Sequence, residues 1–386
     1  MKLFRSPFIF SILILINLLI FIRLRFFLPQ MAGPSQLLDL ETYYRLVEGV
    51  LMGINPYTVS YMQTLGPPTV LFYFLPFSIF SLPTAKFLFT IINIICGFAT
   101  CYVLAKNFFQ NSHRPRNASH TSEVKTPNLH TINIFLIFTL IFFSSFPVRF
   151  SIEMGQPNLV IGYLVSLLVC KANTKYLNVI LSLIVIIKTN YFIALISLLK
   201  KNATIMAKTL LIILGIVVLL LPIIKPSFYT HYLTHKTGDL LPSVGSTQEI
   251  NYYNQSIPAR LNVLGLEHTA LLFYVVLDLI ILWIVYNSGN IMLGIIASII
   301  LSPVSWQHYY AVLFPVFIFT FVNTKNIRYR ILLLIAYLFF WIEFPFLHST
   351  SVNLFTALLS SHYLISAIIL FTLIFKQKIP TSSVSK

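Results

Sequence analysis

Apolar runs recur along almost the whole of this 386-residue chain. That feature leaves few choices of fold, because a backbone inside hydrocarbon must satisfy its own hydrogen bonds and does so here as helices. Only 9% of the residues are charged, against about 25% in a soluble domain. A cytosolic enzyme, a nucleic-acid-binding domain and a disordered chain are therefore excluded. The net charge of +16 fits the same picture, since Lys and Arg collect in cytoplasmic loops.

The expected fold class is all-α, a polytopic membrane protein whose runs approach the roughly 20 residues a span needs. The expected segments are 7–28, 84–106, 131–148, 157–171, 176–188, 190–199, 207–224, 268–287, 291–303, 309–323, 331–347 and 353–375, which gives about 11–12 transmembrane helices. Segments 176–188 and 190–199 are short and read either as two spans or as a broken, re-entrant pair. Lys2 and Arg5 precede the run Pro7 to Ile22 as in a signal peptide. No A-x-A site follows, so an uncleaved first span starting in the cytoplasm is expected.

With both termini inside, seventeen of the 26 basic residues fall on the cytoplasmic side, as the positive-inside rule asks. The other nine are Arg23, Arg25, Arg45, Lys86, Arg149, Lys188, Lys225, Lys236 and Arg260. Nine cations on the disfavoured outer face suit an anionic ligand there, with interfacial snorkelling the plain alternative for Arg23, Arg25 and Lys86. The chain reads as one integral-membrane domain, 1–386, with a first outer loop 29–83, a cytoplasmic linker 109–130 and a second long outer loop 225–267. In the first loop, Leu37, Leu40, Tyr44, Val47 and Leu51 keep helical spacing from Gln36 to Met52, which predicts a surface helix capped by Ser35 and ended by Gly53. Gly66–Leu82 is apolar but broken by Pro67, Pro68 and Pro76 and predicts a second interfacial helix.

Ten acidic residues are few enough to weigh singly. Asp39 falls in the first turn of the surface helix, where the helix dipole favours its ionised form. A carboxylate at a membrane surface suits a general base for a hydroxyl, or else it only completes the helix start. Glu41, Arg45 and Glu48 have the spacing of a solvated ion-pair face. Asp278 is a lone acid inside an apolar run. Cys96, Cys101 and Cys170 sit in apolar runs without disulfide or zinc spacing. No carboxylate cluster suggests a metal site, so neither a metal nor another cofactor is expected.

Several outer-face strings carry chemistry. They are Asp39-Leu40-x-x-Tyr43-Tyr44, Gly53-Ile54-Asn55-Pro56-Tyr57, Gly66-Pro67-Pro68, Gly155-Gln156-Pro157-Asn158, Asn254-Gln255-Ser256 with Arg260, and Ser302-Pro303-Val304-Ser305-Trp306-Gln307-His308. Amides, aromatics and a His on one face suit a sugar, and Arg149, Lys188, Lys225 and Arg260 suit a phosphate. Each string alone also fits turn chemistry or an aromatic belt.

Taken in order, the strings resemble glycosyltransferase family 87, polytopic enzymes of the GT-C type whose characterised members use polyprenyl-phosphate-mannose. The resemblance runs over roughly residues 30–310. It departs at Gly66, where an aromatic often precedes the two prolines, at Lys188-Thr189 in place of Lys-Pro, and at His308-Tyr309 in place of a His pair. These departures bear on substrate more than on fold. The resemblance implies an inverting transfer of a hexose, in the family mannose, from a polyprenyl-phosphate donor to a hydroxyl of a glycolipid, glycan or protein. It implies Asp39 as the base, and Arg149, Lys188, Arg260 and His308 around the donor phosphate. It implies Tyr44, Asn55, Tyr57, Gln156, Asn158, Asn254, Gln255 and Trp306 around the sugar or acceptor. Membrane lipids are the other partners and nucleic acid is not one. The expected place is a prokaryotic plasma membrane with the site on the outer face. The alternatives are a transporter or flippase of a lipid-linked glycan, in which Asp278 would matter, and a surface-polysaccharide polymerase or ligase using a polyprenyl-diphosphate-linked donor.

Overall fold

The computed structural model describes residues 7–22, 37–57, 66–113, 129–170, 176–236, 254–263, 266–344 and 354–377. Within them the chain is all-α, and the one pairing of extended backbone is an isolated bridge between Asn254 and Trp306. The helices are α1 (Pro7–Ile22), α2 (Leu38–Leu51), the broken α3 (Pro68–Ile79), α4 (Leu82–His113), α5 (Leu129–Ser144), α6 (Phe146–Met154), α7 (Asn158–Cys170), α8 (Leu177–Ile187) and α9 (Thr189–Leu199). They continue with α10 (Ala203–Leu220), α11 (Pro226–His231), α12 (Ile257–Val263), α13 (Glu267–Ser288), α14 (Ile291–Ile300), α15 (Phe314–Asn323), α16 (Ile327–Trp341), α17 (Leu354–Ser360) and α18 (His362–Gln377).

Each expected apolar segment contains a helix, with shifted ends. Among the described residues, Leu82–Phe109 and Ala203–Leu220 suffice by length and composition to cross a membrane, and the bent pair Thr131–Ser144 with Phe146–Met154 forms either a third, broken span or a re-entrant loop. Others are short. α8 has 11 residues, about 17 Å of helix against a hydrocarbon core of about 30 Å. The segment expected as 131–148 is broken at Ser145, where α5 and α6 diverge by 65°. The cause is Pro147, which lacks an N–H and crowds the carbonyl four residues back. The Phe142 carbonyl before the break accepts twice from Ser145, from its hydroxyl at 2.7 Å and its N–H at 3.1 Å. Ser35, Arg23, Arg25, Asp239 and Glu249, and positions 114–128 of the linker, lie outside the described residues.

Two apolar clusters organise the molecule. The larger joins α4 to α9 with α14 to α16 and α18. Helices in lipid gain little from hydrophobicity against each other, so close backbone approach matters. Gly294 of α14 meets Ala194 of α9 so tightly that a Cβ there would lie 2.8 Å from the Ala194 Cα. The smaller cluster lies under the surface helices and gathers Leu40, Tyr44, Val47 and Val50 of α2 with Phe74 and Phe77 of α3, Phe89 of α4 and Leu220 of α10. Leu38, Leu51 and Met52 of α2 with Ile79 and Phe80 remain exposed, an apolar rim suited to a lipid surface.

Candidate active site

The position of Asp39 follows from two tight turns in contact. α2 begins at Leu37, which is left-handed (φ 59°) and has no side-chain cap. The Leu37 N–H donates instead to the Glu153 carbonyl at 3.0 Å, in the last turn of α6. α6 closes on Gly155 (φ 72°), whose N–H reaches Ile152 O at 3.2 Å while Gln156 N–H reaches Ser151 O at 2.9 Å. That double bond is a Schellman closure, which needs the left-handed residue glycine supplies. Glycine is also required by space: a Cβ on Gly155 would lie 2.7 Å from the Leu40 Cβ. With the turns so close, Gln156 Nε2 donates to Asp39 Oδ2 at 2.6 Å, across 117 residues of sequence.

The cation of the site comes from the junction of α8 and α9. Lys188 is extended there (φ −145°, ψ 108°), which turns its side chain out of the helical path. Its Nζ donates to Asn158 Oδ1 at 2.8 Å and lies 3.3 Å from the centre of the Tyr309 ring. The Asn158 amide donates to the His308 carbonyl at 2.9 Å and to Ser151 Oγ at 3.2 Å. His308 is 3% exposed, its ring packs against Phe150 and Tyr309, and neither ring nitrogen has a hydrogen-bond partner among the described residues.

Burial pushes the Asp39 carboxyl above its ordinary range, against the opposing pull of the Gln156 amide and the Lys188 ammonium. A raised carboxyl beside a cation is the arrangement by which proteins tune a base. Glu41, two residues on, behaves differently. Lys86 and Arg45 hold its carboxyl below the usual range, with contacts of 2.8 Å and 3.0 Å. Its bond to Lys86 ties α2 to the first turn of α4.

A cleft of about 280 Å³ opens beside these groups, lined by Tyr43, Phe74, Gln156, Lys188, Tyr309 and the Ser302–Val304 turn among others. Tyr43 stacks on Phe74 with centroids 4.3 Å apart. Neither Tyr43 nor Tyr309 was singled out as a site residue by sequence, although each adjoins one that was. Ser151 carried no signal at all. Among the described residues, no three His, Cys, Asp or Glu side chains gather as ligands for one metal ion.

The remaining sequence candidates take other positions. The Tyr44 hydroxyl donates to the Phe80 carbonyl at 2.7 Å and pins α2 to the end of α3. Asn55 Oδ1 accepts from Tyr57 N–H at 3.0 Å, and the Tyr57 hydroxyl donates to the Gly66 carbonyl at 2.9 Å. The N-Q-S and S-P-x-S-W strings do meet, but through backbone. Gln255 N–H donates to Ser305 O at 2.6 Å, and Asn254 Oδ1 accepts from Ser256 and Ser305 N–H, each at 3.1 Å. Gln255 is fully buried, its amide donating to Ser360 O at 2.8 Å. Arg260, also buried, donates to Ser360 Oγ at 3.2 Å. Trp306 is half-buried and supplies the backbone bridge to Asn254. Arg149 lies 5.8 Å over the Phe146 ring, in the field of Glu153 and Glu343. In α13, Asp278 lies one turn on from Tyr274, whose hydroxyl donates to the Leu301 carbonyl at 2.5 Å. Thus Asp39, Gln156, Asn158, Lys188 and His308 come together, while Arg149 lies over Phe146, Arg260 and Gln255 reach Ser360, and Asn254 reaches Ser305.

Comparison with known proteins matches the strings gathered here. The model of glycosyltransferase family 87 fits residues 65–315, which includes Gln156, Asn158, Lys188, His308 and Tyr309, while Asp39 precedes the matched stretch. No curated protein and no solved structure matches the chain. The family match covers well over half of the sequence and, of the cleft-lining residues named above, all but Tyr43: the chain belongs to glycosyltransferase family 87.

Proposed function

We propose that this membrane glycosyltransferase moves a hexose, mannose by analogy with the family, from a polyprenyl-phosphate donor to a hydroxyl acceptor on the outer face of a prokaryotic plasma membrane. The acceptor is a glycolipid, a glycan or a protein, and residues 1–386 work as one integral domain. The observation that carries this reading is the bond to Asp39 from Gln156, which lines a cleft together with Lys188. A base and a cation beside one small cleft are what the transfer needs.

In the proposed step, Asp39 Oδ2 stays on Gln156 and Oδ1 takes the proton of the acceptor hydroxyl. That oxygen attacks the anomeric carbon on the face opposite the phosphate, so the configuration inverts. The bond from the anomeric carbon to the phosphate oxygen breaks, and its electron pair leaves on the lipid phosphate. Lys188 stabilises the charge that develops there; a fixed cation acts best where the charge grows during the reaction. The cleft is at the small end of ligand sites, which run from about 300 to 1,000 Å³. It suits a single sugar head whose lipid tail stays in the bilayer.

The test is transfer of label from polyprenyl-phosphate-mannose by protein in lipid nanodiscs, offered a crude lipid extract from the source cell. The wild type forms a labelled product, and Asp39→Asn binds the donor but forms none. Equal labelling by both removes Asp39 as the base. Donor binding without labelling by either points to another sugar or to transport.

A further inference from the structure

The sequence alone groups Asn158 with the sugar-binding amides, but its surroundings give it other work. It is fully buried. Both N–H groups of its amide are taken, by His308 O at 2.9 Å and Ser151 Oγ at 3.2 Å. Turning the amide over would set its oxygen against the His308 carbonyl, so the orientation is fixed with Oδ1 toward Lys188. That oxygen takes the Lys188 ammonium at 2.8 Å. On another side the ammonium rests 3.3 Å from the Tyr309 ring centre, well within cation–π range. Among the described residues, the ion pairs are Arg45–Glu41 and Lys86–Glu41, and no carboxylate comes within ion-pair distance of Lys188.

We infer that Asn158 and Tyr309 are positioning residues that hold the Lys188 ammonium with neutral partners only, so that its charge is left for an anionic group in the cleft. An ammonium has three N–H donors; an amide and a ring face steer it without cancelling its charge, whereas a carboxylate in either place would cancel it. The four residues from Gly155 to Asn158 then index both halves of the chemistry. Gln156 holds the acid, and two residues later Asn158 holds the cation. This inference rests on the phosphate-donor reading and deepens it.

The charge argument and a purely structural one differ in what they do to a preference for phosphate. Asn158→Ala deletes three hydrogen bonds, while Asn158→Asp turns the Lys188 contact into an ion pair and sets its second oxygen against the His308 carbonyl, so both variants disturb the fold. If Asn158 served only to hold the fold, each variant would weaken a lipid phosphate and its uncharged alcohol alike, whereas a cancelled charge weakens the phosphate alone. The probe is dodecyl phosphate, with dodecanol as the uncharged reference, titrated against full-length protein in phosphatidylcholine nanodiscs. Wild type prefers the phosphate. Asn158→Asp weakens that preference by about tenfold and more than Asn158→Ala does, with donor KM rising and kcat falling together, since Lys188 also meets the charge that grows on the leaving phosphate. Equal loss, or the greater loss in Asn158→Ala, overturns the inference while leaving the transferase reading intact. A wild type that shows no preference for the phosphate overturns the donor reading and this inference with it. Should Asn158→Asp fail to fold, Tyr309 decides. Tyr309→Leu loses phosphate affinity and Tyr309→Phe, which keeps the ring face, recovers it; identical affinities for the two overturn the inference.

Discussion

Replacing Gly155 by alanine tests how the base is assembled. Two costs add at this position. The residue is left-handed, with φ 72°, and an L-residue pays about 1–2 kcal/mol there. The new methyl would also lie 2.7 Å from the Leu40 Cβ and 3.2 Å from the Leu40 backbone nitrogen. Neither neighbour is the free end of a flexible chain, so α2 must move, at about 1–3 kcal/mol for an overpacked contact. The expected loss is about 2–5 kcal/mol. Gly289 is the control. It is also left-handed (φ 58°), but a methyl there meets the side chain of Lys201, which can swing away, so the loss stays near 1–2 kcal/mol. Thermal unfolding of both variants in detergent gives the stability order. Transfer assays under conditions where both are folded give the rest: Gly155→Ala loses activity because Leu40 carries Asp39 away from Gln156, and Gly289→Ala does not. Equal destabilisation by the two, with transfer intact in Gly155→Ala, would refute the argument that this contact sets the site.

Gln156→Leu removes the amide that favours the ionised Asp39, leaving burial less opposed. The carboxyl rises further, and since the base acts when ionised, the acid limb of kcat/KM moves to higher pH; a limb that stays put or moves lower excludes Gln156 as the partner that tunes the base. Asn254→Ala frees the Ser256 and Ser305 N–H groups and lowers stability by about 1–3 kcal/mol. Its donor and acceptor KM values at permissive temperature stay near those of the wild type, and a selective rise in either KM would return Asn254 to the sugar.

The helices were legible because apolar runs in lipid have one way to satisfy their backbones. The surface helix α2 was legible from the spacing of Leu40, Tyr44 and Val47, though its cap was not, since Leu37 bonds to another helix rather than to its own side chain. The break at Ser145 follows from Pro147 but was hidden inside an apolar run. Within the candidate site, Asp39, Gln156 and Lys188 were visible as charges and amides in short strings. What sequence order lacks is the third dimension. Asn254 and Gln255 sit in a string as polar as Gly155–Asn158, yet their groups close a backbone junction and a buried contact to Ser360. In sequence Tyr309 stands where the family often shows a second histidine, whereas in the structure its ring face lies 3.3 Å from the Lys188 Nζ.

The contact between Leu37 and Glu153 also orders events in time. The base is made early and its partners late: Gln156, Lys188 and Tyr309 follow Asp39 by 117, 149 and 270 residues. At about 5–20 residues per second, the last arrives roughly 15–50 s after the first. For the first 117 residues of that interval the acid has no amide partner, for 149 it has no cation, and until the 270th that cation has no ring face to rest on. A ribosome-bound intermediate therefore lacks part of the candidate site, which is complete only when Tyr309, in the second half of the chain, has been made.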